Sequence, residues 1–206
     1  MRKLVYYIAS TLDGFIAGPD GDDPTGPDGF WPIPEDYIGH MIAEYPETLP
    51  GPARTALSIS AEGTHFDTIV EGRRSYEIGL KAGVTDAYPH LRHVVFSRTL
   101  GESPDPAVEV VAGDPAARVK ELKQEEGKDI WLVGGGELAG SLYSEIDRLI
   151  VKLSPVTIGA GIPLFSDKAT FAPLSWTLSD RKVLDSGALF LTYDCATTTV
   201  TLSVND

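Results

Sequence analysis

The chain has 206 residues, 42% of them hydrophobic, and a formal net charge of −13 from 17 Lys+Arg against 30 Asp+Glu. A field of that sign repels nucleic acid and anionic membranes, and no stretch approaches the roughly 20 apolar residues of a membrane span. A single cysteine, Cys195, excludes an internal disulfide, so the expectation is a cytoplasmic, single-domain globular protein that buries a core without metal or disulfide staples.

The first element reads as a strand, KLVYYIAS (Lys3–Ser10), which passes directly into the turn pair Asp13–Gly14. GPDGDDPTGPDGFWPIP, from Gly18 to Pro34, is dense in Gly, Pro and Asp and reads as a loop. PEDYIGHMIAEY then sets Ile38, Met41, Ile42 and Tyr45 at helical spacing. The proline-broken stretch that follows, about 45–66, is expected to be a lid or substrate-side insertion, because the apolar segments beside it are too few to fold separately.

Further strands are DTIVEG (Asp67–Gly72), HVVFS (His93–Ser97), VEVV (Val108–Val111), DIWLVG (Asp129–Gly134) and RLIVKLSPV (Arg148–Val156). Between them RRSYEIGL reads as a short helix, and GDPAARVKELKQEEG as a helix with Asp114 as N-cap, Pro115 in the first turn and Gly127 as the stop. ELAGSLYSEI carries Leu138, Leu142 and Ile146 on one stripe. WTLSDRKVL and ALFLTYD, joined through Ser186–Gly187, read as an antiparallel hairpin. The fold class is therefore α/β: a mixed, mainly parallel sheet flanked by helices, with a C-terminal antiparallel hairpin and residues 1–195 forming one domain. Residues 196–206 alternate polar and apolar side chains and read either as an edge strand across a homodimer or as a frayed tail.

Chemistry concentrates at three strand ends. IWLVGGGELAGSLY places Gly134, Gly135 and Gly136 between a strand and a helix, where absent side chains let a pyrophosphate or a flat ring touch the backbone. IVEGRRSYE repeats the pattern with Gly72, then Arg73, Arg74 and Ser75 in the first helical turn. The helix dipole disfavours cations there unless an anion accompanies them. VVFSRTL ends in Ser97–Arg98, a hydroxyl-plus-guanidinium pair suited to phosphate. Such chemistry is expected at the carboxyl edge of an open α/β sheet. His40, His65, His90 and His93 are scattered without metal-ligand spacing, so no metal site is expected. Tyr6, Tyr7, Trp131 and Trp176 read as core.

Those three strand ends, the opening VYYIASTLDGFIAGPDG and the segment DRLIVKLSPVTIGAGIPLF together resemble the dihydrofolate reductase superfamily over nearly the whole chain. The similarity is to its branch around the C-terminal reductase domain of the riboflavin-pathway deaminase–reductase. Ser10–Gly14 and GAGIPLF are the most specific matches; the deaminase's zinc motif is absent. The resemblance implies NADPH binding and hydride transfer to a small heterocycle, pterin-like or aminopyrimidine-like. It implies that Gly72, Arg73, Arg74 and Ser75 meet the adenine-side phosphates, Ser97 and Arg98 the 2′-phosphate, and Gly134, Gly135, Gly136, Glu137 and Leu138 the pyrophosphate. Ala9 and Ile16 would flank the nicotinamide. Asp36 stands where such reductases carry a catalytic acid, although an acidic residue in a first helical turn is favoured by the dipole without any chemistry. Asp13, which reads more readily as a turn former, is the alternative acid and a bound water another proton donor, while a non-catalytic dinucleotide-binding protein is the alternative reading. Two questions stay open: whether Arg54, in the insertion, serves a substrate phosphate, and whether Glu71 sets a negative charge beside the proposed grip.

Overall fold

A computed structural model describes residues 1–26, 29–166, 169 and 171–196. The strands are β1 (Leu4–Ser10), β2 (Phe15–Ala17), β3 (Phe66–Gly72), β4 (Arg92–Phe96), β5 (Val108–Val111), β6 (Asp129–Gly134), β7 (Arg148–Leu153), β8 (Ile162–Pro163), β9 (Trp176–Val183) and β10 (Leu189–Cys195). The helices are α1 (Glu35–Glu44), α2 (Gly51–Ala56), α3 (Arg73–Lys81), α4 (Pro115–Gln124) and α5 (Gly136–Ser141). Eight strands form one sheet in the order β5-β4-β3-β6-β1-β7-β10-β9, while β2 and β8 pair separately. From β5 to β7 every pairing is parallel; β10 is antiparallel to both of its neighbours. The mixed α/β architecture with its terminal hairpin is thus as the sequence indicates.

The alternation of β1 divides the core. Leu4 and Tyr6 face α4 and α5 with Val119, Leu122, Leu138 and Leu142. Val5 and Tyr7 face α1 with Tyr37, Met41, Tyr45, Trp131 and Phe190. The stripe Leu138–Leu142–Ile146 is buried as its spacing requires, and Tyr6, Tyr7 and Trp131 are core residues; Trp176 packs against the core half-buried. Asp114 caps α4 by accepting from the Ala116 N–H at 3.0 Å.

Some boundaries differ from the sequence reading. β7 stops at Leu153, because Pro155 lacks a donor for the ladder. α4 ends at Gln124, ahead of Gly127. The helix expected over 137–146 breaks after Ser141, whose hydroxyl bonds back to the Glu137 carbonyl at 2.9 Å, and resumes as a 3₁₀ turn, Tyr143–Glu145. β2, β8 and α2 have no counterpart in the sequence reading; they are too short to carry a periodic signal.

The 45–66 insertion also lies elsewhere than expected. α1 runs against the strand direction, so the chain leaves it at the amino edge of the sheet. There Glu47 accepts from the His65 and Phe66 N–H groups at 2.7 and 3.0 Å, at the start of β3. Gly51 N–H bonds to the Ala87 carbonyl at 2.7 Å, in the loop before β4. The insertion is therefore moored away from the strand ends that carry the candidate site. Of the C-terminal tail only Ala196 falls among the described residues, its N–H on the Ser175 carbonyl at 2.8 Å.

Candidate active site at the carboxyl edge

The strand order sets the ends of β4, β3, β6, β1 and β7 side by side. The three sequence motifs therefore meet. A Cβ placed on Gly72 would lie 3.7 Å from the Gly134 carbonyl oxygen, 3.8 Å from Leu138 Cβ and 3.9 Å from Gly135 N. Arg73 of α3 donates to Thr99 Oγ1 beyond β4 at 2.6 Å, and Arg74 lies 3.9 Å from Glu137 of α5.

The three consecutive glycines serve three different needs. Gly134 has φ 139°, a left-handed conformation that disfavours any side chain, and its peptide bond to Gly135 is cis. Gly136 is required by packing: a Cβ there would collide with the Pro163 carbonyl oxygen of β8, and its own carbonyl accepts from Ser166 N–H at 3.1 Å. Gly135 alone is open, since the nearest atom to a Cβ added there would be Ile16 Cδ1 at 4.0 Å. That contact also brings Ile16, on β2, to the glycine turn. Ala9 lies near the end of β1, on the face of Tyr7.

The arginines divide as well. Arg73 is occupied, with Nε 2.6 Å from Glu77 Oε1 as well as its bond to Thr99. That i, i+4 pair accounts for a cation in the first turn of α3 without any ligand. Arg74 is largely exposed and only loosely near Glu137. Arg98 is exposed and, among the described residues, has no hydrogen-bond or ion-pair partner. Ser97 is buried and its hydroxyl accepts from Leu100 N–H at 3.0 Å and Thr99 N–H at 3.3 Å, shaping the turn that presents Arg98. Gly72 is the N-cap of α3 with no side-chain cap, and Ser75 is half-buried in its first turn without a side-chain partner among the described residues. Leu138 is core, so any contribution it makes is through its backbone.

Asp36 reaches the β9–β10 turn, where one carboxylate oxygen accepts from Ser186 N–H at 2.8 Å. That N–H, more than anything else around it, holds the carboxyl below the usual carboxylate range. Among the described residues its other oxygen is buried without a partner, as is the indole N–H of Trp31. Asp13 is a turn residue: its carboxylate accepts from the Thr11 hydroxyl and from the Ile158 and Gly159 N–H groups at 3.0 and 2.7 Å. It thereby docks the Ser10–Gly14 turn onto the segment leading into GAGIPLF. Arg54 braces the insertion, donating to the Pro46 and Ala61 carbonyls at 2.6 and 2.8 Å.

Two features escaped the sequence reading. Glu71 turns away from the ligand edge to the face of Ile69, where His93 Nε2 meets its Oε1 at 2.7 Å and His93 Nδ1 meets Asp86 Oδ1 at 2.9 Å. Burial raises the Glu71 carboxyl, with His93 pulling it the other way. Burial opposes charge on the His93 ring, but the two carboxylates outweigh it and hold the ring's proton affinity above the ordinary histidine range. The second feature is Lys152 on β7, in register with Ala9 of β1 and Phe190 of β10. Its ammonium stands 4.2 Å above the centroid of the Tyr7 ring. A lysine interrupting the apolar run of RLIVKLS was the available signal.

A mainly parallel sheet with this glycine-lined carboxyl edge and antiparallel terminal pair defines a dihydrofolate reductase-like fold. The chain belongs to the RibD C-terminal domain family, whose model matches residues 2–190. That family is one of reductase domains. The chain is 31% identical over 170 residues to the uncharacterized protein YwjB of Bacillus subtilis (strain 168), covering 81% of this chain and 84% of YwjB. It is 28% identical over 179 residues to the uncharacterized protein YyaP of the same organism, covering 81% of each. Among solved structures, a putative riboflavin biosynthesis protein from Shewanella sp. PV-4 superposes with a TM-score of 0.65 at 20% identity, over 95% of this chain and 99% of that one. A diaminohydroxyphosphoribosylaminopyrimidine deaminase/5-amino-6-(5-phosphoribosylamino)uracil reductase from Thermotoga maritima superposes with a TM-score of 0.61 at 14% identity, over 95% of this chain and 57% of that one. Among the described residues, no helix is long and apolar enough to cross a membrane.

Proposed function

We propose that the chain is an NADPH-dependent reductase that transfers hydride to a small heterocycle of the pterin or aminopyrimidine kind. Reductase domains of this family generally use NADPH. The observation that carries the reading is the convergence, in a chain of −13, of an open glycine backbone with exposed guanidinium groups. Gly135 has room in front of it, α3 starts uncapped, Arg74 is exposed and Arg98 lacks a partner among the described residues. These residues fit a dinucleotide: Gly72, Gly134 and Gly135 admit the pyrophosphate, Arg74 and Ser75 the adenine-side phosphate, and Ser97–Arg98 the 2′-phosphate that separates NADPH from NADH. Ala9 and Ile16 would form the walls beside the nicotinamide. When bound, the cofactor supplies the hydride, while the protein orients the substrate and keeps water out.

The test is a titration with NADPH and NADH, followed by quenching of tryptophan fluorescence and repeated on Arg74→Ala and Arg98→Ala. Micromolar NADPH binding, weaker NADH binding and loss of that preference in Arg98→Ala are expected. Absence of saturable binding by either nucleotide would remove the cofactor site and the reductase reading with it. Tight binding with no turnover of any acceptor would leave a dinucleotide-binding protein.

A further inference from the structure

This chain partners its fully buried cations, whereas Lys152 is half-buried. Arg2 is bonded to Asp67, Thr68 and the Lys128 carbonyl. Lys123 lies 2.7 Å from Asp147 and donates to the Glu145 carbonyl at 2.5 Å. Lys152 breaks the pattern. Among the described residues it has no hydrogen bond and no ion pair, only the face of Tyr7, whose own hydroxyl is buried without a partner. Removing an ammonium from water without a counter-charge is costly, and such a group is retained where something else makes use of it.

Its location says what that use is. In a parallel pair, residues in register project to the same face of neighbouring strands about 4.8 Å apart. Lys152 is in register with Ala9, one residue before the strand ends at Ser10 and Leu153. It therefore borders the place where the nicotinamide would lie, on the face that α1 covers with Tyr37 and Met41. We propose that Lys152 is the residue that meets the reducible group of the substrate, and that the substrate presents a carbonyl oxygen or imine nitrogen beside the carbon that is reduced. This rests on the reductase reading above. Hydride, from a reduced nicotinamide, adds to the carbon of the C=O or C=N bond. The π pair moves onto the heteroatom, a proton passes to it from Lys152 Nζ, and the neutral amine left behind recovers its proton from solvent.

Burial pushes the Lys152 ammonium down to about 7. At neutral pH such a group is divided between acid and base forms, which is the condition for efficient proton donation. Asp36 is less suited, since its carboxyl is held ionised. The other titratable groups on the elements packed around Lys152 are Tyr7 of β1, Asp36, Tyr37 and His40 of α1, Glu47 beyond α1, and Asp180 and Lys182 of β9, which act on His40. None forms an ion pair with Lys152, so its titration reports its own surroundings.

The experiment has two arms. The first labels the full chain by reductive ¹³C-methylation and follows the lysine resonances by NMR from pH 5 to 11. One resonance, absent from Lys152→Met, is expected to titrate near 7 and to move when 7,8-dihydropterin or cyclohex-2-enone is added to the NADP⁺-loaded protein. The second measures NADPH-dependent turnover of the same two acceptors. Lys152→Met is expected to lower kcat at least about 100-fold with NADPH affinity unchanged, and to abolish the loss of rate that wild type shows above pH 7. Lys152→Arg is expected to bind the acceptor as wild type does but to lack that pH limb. A Lys152 resonance titrating near 10, or one indifferent to both acceptors, overturns the proposal, as does wild-type kcat in Lys152→Met. Failure of NADPH to bind the wild-type chain would instead overturn the cofactor reading, while the NMR titration still decides the state of Lys152.

Discussion

If the three glycines of the β6–α5 turn serve three needs, alanine at each should fail differently. At position 136 the added methyl meets the Pro163 carbonyl oxygen, which belongs to β8 and cannot rotate away as a side chain would. Overpacking against backbone costs about 3 kcal/mol, or roughly 10 °C in Tm for a chain of this size. At position 134 the methyl has more room, the nearest atom being Ile8 Cδ1 at 3.7 Å, but φ is 139°, a conformation that costs about 1–3 kcal/mol for a side-chain-bearing residue. At position 135 neither obstacle exists: φ is −87° and the nearest atom is Ile16 Cδ1 at 4.0 Å. Only the N-cap preference is lost, within about 1 kcal/mol. If a dinucleotide lies against that bare backbone, Gly135→Ala should weaken NADPH about 10-fold or more while the protein stays folded. Urea denaturation and nucleotide titration of the three variants separate these effects. Wild-type NADPH affinity in Gly135→Ala, or a stability loss there matching Gly136→Ala, refutes the reasoning.

Lys152 carries a stability signature independent of catalysis. A basic group whose folded pKa lies below its unfolded value holds fewer protons when folded, so stability rises with pH between the folded value of about 7 and the ordinary 10.5. For a half-buried ammonium, screened by its remaining exposure, the gain is about 2 kcal/mol; urea midpoints at pH 6.5, 8 and 9.5 should show it in wild type and not in Lys152→Met. Parallel curves would mean the ammonium is fully hydrated. His93→Leu leaves Glu71 and Asp86 buried without their imidazole and should cost about 3–5 kcal/mol by denaturant titration, whereas a loss under 1 kcal/mol would show that the carboxylates are solvated. Asp36→Ala removes the acceptor for Ser186 N–H, so a lower Tm with turnover intact is expected. Lost turnover at unchanged Tm would return the acid role to Asp36.

The strand ends were legible because each signal is local. A strand, a glycine and the start of a helix occupy a dozen contiguous residues, and the side-chain periods change from 2 to 3.6 within that window. Parallel pairing of β4, β3 and β6 follows from the alternation of strand and helix, so the three motifs could be placed at one edge from the sequence alone. The insertion was misplaced because proline content describes the path of a segment and not its location. Its position depends on the direction of α1, which turns on how Tyr37, Met41 and Tyr45 pack against β1. Lys152 and His93 were missed for a related reason: whether a charged side chain has a partner depends on residues far off in the chain. His93 finds Glu71 22 positions away, and Arg2 finds Lys128 126 positions away.

Glu71 shows how the same long-range information changes the electrostatics of the site. Read from the sequence, a carboxylate one residue before Gly72 opposes the phosphate grip that Arg73 and Arg74 were expected to form. In the fold, alternation along β3 sends Ile69 and Glu71 to one face and Val70 to the other. Glu71 is thus carried beneath the edge and onto His93, whose ring is held above the ordinary histidine range. Asp86 takes the other ring nitrogen and anchors the loop between α3 and β4. Arg73 meanwhile is consumed by Glu77 and Thr99. The expected grip loses one cation, and the carboxylate thought to weaken it is paired internally. What remains facing solvent is Arg74, with Glu137 3.9 Å away, and Arg98 beyond Ser97. Were an anionic cofactor to bind a chain of −13, the basic island it would meet is these two guanidinium groups, with Glu71 turned inward onto His93.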